Sequence, residues 1–166
     1  MTEDALVLTA SQRQEIVNHA LEGGDDEVCG FLFGLDGQVD HVERARNAAA
    51  EISADEGLFR DRDSGLATAG RSRAHYYVDS HDLLKAYNSA AASELDVIGV
   101  YHSHTHTEAR PSPTDIRLAH DGGTLFYVLV GLRDRTAPEF RAWRIHKADP
   151  WGEDGEAVEV TVVDRR

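Results

Sequence analysis

The sequence predicts an α+β fold in which a central, mixed β-sheet is flanked by helices. Compact apolar or alternating runs such as "EVCGFLFG", "LDVIGVYH" and "TLFYVLV" have the length and composition of strands. Two longer stretches place apolar residues at helical spacing behind capping residues. The two kinds of element are interleaved without strict strand–helix–strand alternation, which favours a mixed sheet over a purely parallel one.

Taken in order, "ALVLT" reads as a first strand. "SQRQEIVNHALEGG" opens with Ser11 and carries Gln14 three residues on, a capping-box pattern, and Gly23-Gly24 stops the helix. "EVCGFLFG", residues 27–34, is bounded by glycine and reads as a buried strand, with "LDGQ" turning into "VDHVERA" as a hairpin. Residues 47–73 are rich in Ala, Gly, Ser and charge, with Leu58, Phe59 and Leu66 as large apolar residues. That composition predicts a flexible insertion within a single domain spanning 1–166, either functional or an inert surface excursion. "AHYYVD" reads as a strand. Ser80 then caps a helix whose Leu83, Leu84, Tyr87 and Ala91 share one face. "LDVIGVYH" is a continuous apolar run and hence a central strand. A short helix from Ser112 to His120 follows, then the strands "TLFYVLV", "EFRAWRI" and "EAVEVTVV". No internal repeat and no glycine-rich phosphate loop is present.

Composition narrows the function classes. The net charge of −13 argues against nucleic acid, which needs a basic face. The acidic residues are dispersed, as on a solvated surface. One cysteine, Cys29, allows no internal disulfide and suits a reducing cytoplasm. The N-terminus lacks a signal-peptide pattern, and no apolar run approaches the ~20 residues of a membrane span. A homodimer is compatible with the sequence, which sets no oligomeric state.

The chemistry concentrates in "YHSHTHTEARPSPTD", Tyr101 to Asp115. On an extended chain His102 and His104 share one face, with Cα atoms about 7 Å apart, so two imidazoles can converge on one ion. His106 has the same parity, and parity alone does not exclude it. A carboxylate is a plausible third ligand, and Asp115 is the leading candidate. Ser112, Pro113 and Asp115 also have the N-cap, N1 and N3 pattern of a helix start, a pattern that often merely caps a helix, though capping and metal binding are not exclusive because a helix N-terminus favours an anionic group. Paired histidines also occur as ordinary surface or core residues.

His102-x-His104, seven intervening residues, Ser112, two more and Asp115 resembles the signature of the JAMM (MPN-plus) zinc metallopeptidases. Glu27 entering "EVCGFLFG" resembles the family's upstream glutamate. A register starting at His104 and His106 would put Thr114 and Arg117 where the family has serine and aspartate, so His106 falls outside the set. The resemblance implies a cytidine-deaminase-like α/β architecture. It also implies Zn2+ held by His102, His104 and Asp115, Glu27 as general base, and Ser112 as hydrogen-bond donor to the oxyanion. Cys29 is expected to be a buried strand residue, with Ser103 and Thr105 holding the ligand loop.

Within the family, "YHSHTHTEARPSPTDIRLA" and "FYVLVGLRD" are most similar to bacterial peptidases that remove cysteine from a ubiquitin-like sulfur carrier. The implied partner is therefore such a carrier, cleaved after its C-terminal Gly-Gly tail during cysteine biosynthesis. An extended tail would suit the site if it paired with an exposed strand edge beside the metal. The alternatives are a broader isopeptidase removing ubiquitin-like modifiers from lysine, or a non-catalytic scaffold of the same fold. A nucleobase deaminase is disfavoured, because no Pro-Cys-x-x-Cys accompanies the histidines.

Overall fold

The structure is a computed structural model that describes residues 4–166. Strand β1 (Ala5–Thr9) runs directly into helix α1 (Ala10–Glu22). The cap is Thr9, two residues before the expected Ser11. Its Oγ1 accepts from Gln12 N–H at 3.0 Å, and Gln12 Oε1 accepts from Thr9 N–H at 2.9 Å. "TASQ" carries the same capping-box spacing as "SQRQ", and the abrupt end of β1 selects the earlier box.

Strands β2 (Cys29–Leu35) and β3 (Gln38–Ala45) form the expected hairpin. Its two-residue turn puts Asp36 at φ 51° and Gly37 at φ 77°, the left-handed pair that a twisted hairpin requires. Helix α2 (Ser80–Ala92) leads to strand β6 (Asp96–His104), and the short helix α3 (Pro113–Leu118) leads to β7 (Phe126–Gly131), β8 (Glu139–His146) and β9 (Glu156–Arg165). The seven long strands order as β1-β3-β2-β6-β7-β8-β9. A parallel β1/β9 pairing closes the ring into a barrel. The mixed sheet is thus present, with β6/β7 also parallel; β1 and β3 meet at one position, Val7 and Gln38, and beyond it the ladder partners of β3 among the described residues are those of β2.

Alternation along the strands sorts the core. Leu32 of β2 and Val128 and Val130 of β7 face Ile16 and Ala20 of α1. Phe31 and Phe33 face the other way, onto Ala86 and Ala90 of α2. That contact corrects the sequence-based face of α2. Ala86 and Ala90 are its buried residues, whereas Leu83, Leu84, Tyr87 and Ala91 are exposed. Alanines allow closer approach to the phenylalanines than leucines would. The cap of α2 is Asp79, accepting from Asp82 N–H at 2.8 Å, and Ser80 is the first helical residue.

Residues 47–73 hold two short 3-10 turns, Ala49–Glu51 and Ala54–Glu56, and a hairpin of β4 (Phe59–Arg60) with β5 (Ala67–Thr68). Ala49, Ile52 and Phe59 make a small core there, against Tyr77 and Leu118, while Leu66 is exposed. "AHYYVD" begins in a turn at Ala74 and joins no ladder among the described residues, which corrects the strand expected there. Its backbone partners lie outside any sheet: Tyr77 N–H donates to the Asn47 side chain, and Tyr77 C=O accepts from Ala48 N–H.

Candidate active site

The histidine pair sits at the C-terminal end of β6, between β2 and β7. Cys29 of β2 pairs with His102, so continuing that register sets Glu27 beside His104. Ser103 fixes the register past the end of β2. Its Oγ accepts from Val28 N–H at 3.0 Å, and its N–H donates to Val28 C=O at 3.1 Å. The following loop folds over β7: a Cβ on Gly131 would lie 2.5 Å from Ala109 N, so only glycine admits this approach. Trp143 Nε1 donates to Ala109 C=O at 3.0 Å, and Arg135 reaches Thr105 C=O at 3.2 Å, completing the loop's anchorage.

His102 Nε2, His104 Nε2 and Asp115 Oδ2 converge. Their separations are 3.2 Å between the imidazoles and 3.3 and 3.1 Å from each to the carboxylate. A tetrahedral ion with bonds of about 2.0–2.1 Å has ligand–ligand edges of about 3.3–3.4 Å, so the triangle fits one face of such a site. Glu27 is buried close by, with its carboxylate within 4.8 Å of both histidine ligand atoms. The triangle completed by Asp115 is the tighter grouping, with Glu27 just outside it. His104 Nδ1 faces Glu108 C=O at 3.1 Å, a contact that puts the proton on Nδ1 and the Nε2 lone pair toward the site. His102 Nδ1 is buried without a hydrogen-bond partner, and its ring plane is set by stacking on Tyr76. His106 is exposed, with Nε2 3.6 Å from Asp25 and outside the cluster.

Asp115 reaches the cluster from the first turn of α3. Ser112 N–H donates to Asp115 Oδ2 at 2.8 Å, and Ser112 Oγ accepts from Asp115 N–H at 3.1 Å. The capping box is therefore real. It uses only a lone pair of the serine hydroxyl, whose own proton stays available to donate. Capping and oxyanion binding thus do not compete for the same part of the group.

Electrostatics separate the two carboxyls. Burial works against the charge of Asp115, but His102 and His104 outweigh it and hold this carboxyl well below the usual range. Burial, reinforced by the charge of Asp115, pushes Glu27 up to about 8. Burial lowers His102. For His104 burial acts the same way, but Asp115 outweighs it and raises the group. Burial also pushes the Cys29 thiol up to about 12, so it is inert at neutral pH.

Sequence reasoning missed three contributors around Glu27. Asn47 and Ser72 bind its backbone, and Tyr76 covers His102. The last two lie on or beside segments with no regular pattern. A bulge between Phe33 and Gly34 shifts the hairpin register by one, so counting from the β2–β3 turn alone would have set Arg46, and not Asn47, opposite Glu27.

The family model described as prokaryotic homologs of the JAB domain matches residues 9–146. The chain belongs to this family. It is 34% identical over 140 residues to a CysO-cysteine peptidase of Mycobacterium tuberculosis, covering 84% of this chain and 82% of that protein. It is 30% identical over 150 residues to a desampylase of Haloferax volcanii, covering 85% and 95% of the two chains. A crystal structure of a JAB1/MPN domain protein from Archaeoglobus fulgidus aligns over 98% of this chain and 100% of that one, with a TM-score of 0.50 at 16% identity. That likeness supports the JAB/MPN fold. The protein is a hydrolase of the JAMM type, and no helix among the described residues is long and apolar enough to cross a membrane.

Proposed function

We propose that the protein is a zinc peptidase that hydrolyses the bond after the C-terminal Gly-Gly of a ubiquitin-like sulfur carrier, releasing cysteine. The observation that carries this reading is the triangle of His102 Nε2, His104 Nε2 and Asp115 Oδ2 beside the buried carboxyl of Glu27. The mycobacterial relative's name supports the substrate, and the proposal places the reaction in cysteine biosynthesis in the cytoplasm.

His102, His104 and Asp115 would hold Zn2+, their two nitrogens and one oxygen being a donor set that leaves a fourth position open. Zinc held there supplies Lewis acidity, which brings a water's pKa toward neutrality and polarises the scissile carbonyl. Glu27 takes a proton from the attacking water and passes it to the departing amine, so that the C–N bond breaks to a glycine carboxylate and free cysteine. A carboxyl raised by burial is a stronger base than an exposed one, which suits both transfers. Ser112 directs its free hydroxyl proton at the developing oxyanion, and losing such a donor costs ~10²–10³ in rate.

The desampylase relative supports a second reading, removal of ubiquitin-like modifiers from lysine. One assay separates the two. The zinc-loaded protein is given a carrier ending in Gly-Gly-Cys, or the same carrier joined to a lysine side chain, and products are weighed by mass spectrometry. Loss of one cysteine residue from the first substrate, abolished by a chelator and retained in Cys29→Ser, supports the peptidase. Glu27→Gln should cut this turnover by ~10²–10⁴. Cleavage of the lysine conjugate alone selects the second reading, and cleavage of neither substrate removes both.

A further inference from the structure

Glu27 lies beyond the end of the β2 ladder, which begins at Cys29, so sheet pairing alone does not hold it. Across the hairpin Cys29 pairs with Ala45, and continuing that register puts Asn47 opposite Glu27 at the point where the two strands part. The Asn47 side chain fills the gap. Its Nδ2 donates to Glu27 C=O at 2.9 Å and to His75 C=O at 2.9 Å. Its Oδ1 accepts from Ala49 N–H at 3.0 Å and Tyr77 N–H at 3.1 Å. An asparagine amide has two donor hydrogens and two acceptor lone pairs, and all four are used. The amide orientation is fixed by chemistry, since a flip would set oxygen against two carbonyls and NH₂ against two N–H groups.

We propose that Asn47 is a positioning residue for the catalytic carboxylate, fastening the main chain of Glu27 to the extended run that carries Tyr76. This rests on the reading of Glu27 as the proton-transfer group. The same amide thus serves both flanks of the site, because Tyr76 stacks on the ligand His102. The remaining main-chain group of Glu27 is held separately, its N–H donating to Ser72 C=O at 2.7 Å. Without Asn47 the Glu27 carbonyl and two loop amides lose their partners. The carboxylate could then shift by a fraction of an ångström, enough to slow proton transfer without disturbing the ligand triangle.

The test is a double-mutant cycle on the zinc-loaded enzyme with a carrier ending in Gly-Gly-Cys, paired with hydrogen exchange on the metal-free protein. Asn47→Ala should lower kcat by about 10–100-fold, keeping KM within about twofold and the zinc content unchanged. In a Glu27→Gln background the same substitution should change kcat less than about twofold, since its effect runs through the carboxylate. Asn47→Asp keeps the acceptor for Ala49 and Tyr77 but loses both donors, and it serves if the alanine variant does not fold. Exchange at Glu27 should quicken about tenfold or more in either variant, and at Ala49 and Tyr77 in Asn47→Ala, with Leu129 of β7 unchanged. Equal losses in both backgrounds, or unaltered Glu27 exchange, would overturn the proposal. If Glu27→Gln alone kept full turnover, the role of Glu27 would fail and this inference with it. If Glu27 proved essential but kcat in Asn47→Ala stayed at the parent's value, this inference alone would fail.

Discussion

Tyr76 lies flat on His102, with ring centroids 4.1 Å apart and planes inclined by 23°. A ligand imidazole is usually aimed by a hydrogen bond from its far nitrogen, and here that nitrogen, Nδ1, has no partner. Aim therefore comes from packing. Tyr76→Ala should weaken ion binding by about 10–100-fold, the scale of losing an outer-shell partner. Tyr76→Phe, which keeps the stacked ring, should bind as the parent does. Competition against a chelating dye measures both, and unchanged affinity in the alanine variant would show that other contacts aim the ring.

The ligand register has a direct check. His102→Ala, His104→Ala and Asp115→Asn each remove a vertex of the triangle and should abolish stoichiometric zinc. His106→Ala, which changes an exposed side chain 3.6 Å from Asp25, should leave it intact. Elemental analysis after purification without added metal decides the matter. Zinc loss in the His106 variant would shift the register by two residues.

Burial of Glu27 predicts a pH signature in the metal-free protein. Its pKa rises from an unfolded value of about 4.3 to about 8 in the fold. Between those values the native state keeps a proton that the unfolded state has released. Stability is therefore largest below the unfolded pKa, falls as pH rises through this window, and levels off above it. Glu27→Gln lacks the titration. With chelator present, its melting temperature should match the parent near pH 4 and exceed it by several degrees at about pH 8. A cation at the site favours the ionised carboxyl, so the gap should shrink on adding zinc. A gap that does not vary with pH would mean that Glu27 titrates normally.

The segment 47–73 is proposed to be mobile and to tune substrate capture. Its hairpin tip is exposed, whereas Ile52 and Phe59 are buried against Tyr77 and Leu118, and Arg117 of α3 donates to Leu58 C=O at 2.7 Å. Hydrogen exchange should be fast at residues 61–66 and slow there when carrier protein is added. Exchange indifferent to the carrier, with intact turnover after the hairpin is shortened, would mark an inert insertion.

The parts of the site legible in the sequence are those carried by local spacing. His102, His104, Ser112 and Asp115 lie within one strand, one loop and one helix start, and their separations decide whether they can meet. Glu27 was reachable only through resemblance, because β2–β6 pairing brings it near His104 across a long stretch of chain. Asn47 and Tyr76 were not legible. Each acts through backbone or ring contacts between segments lacking periodicity, where no pattern says which way a side chain points. The α2 face was misread for a related reason. Helical spacing identifies a stripe but cannot say that the neighbouring phenylalanines leave room only for alanine.

A seven-stranded ring has no first or last strand. An enzyme that receives the extended end of another protein risks receiving its own kind, because any unpaired strand is a template for a second copy. Here β1 and β9 occupy each other's hydrogen bonds along their length, whereas β1 and β3 share one pair, Val7 and Gln38. Breaking the β1/β9 seam, for example with Val7→Pro or Val163→Pro, would be expected to cost solubility well before it disturbed the triangle of His102, His104 and Asp115.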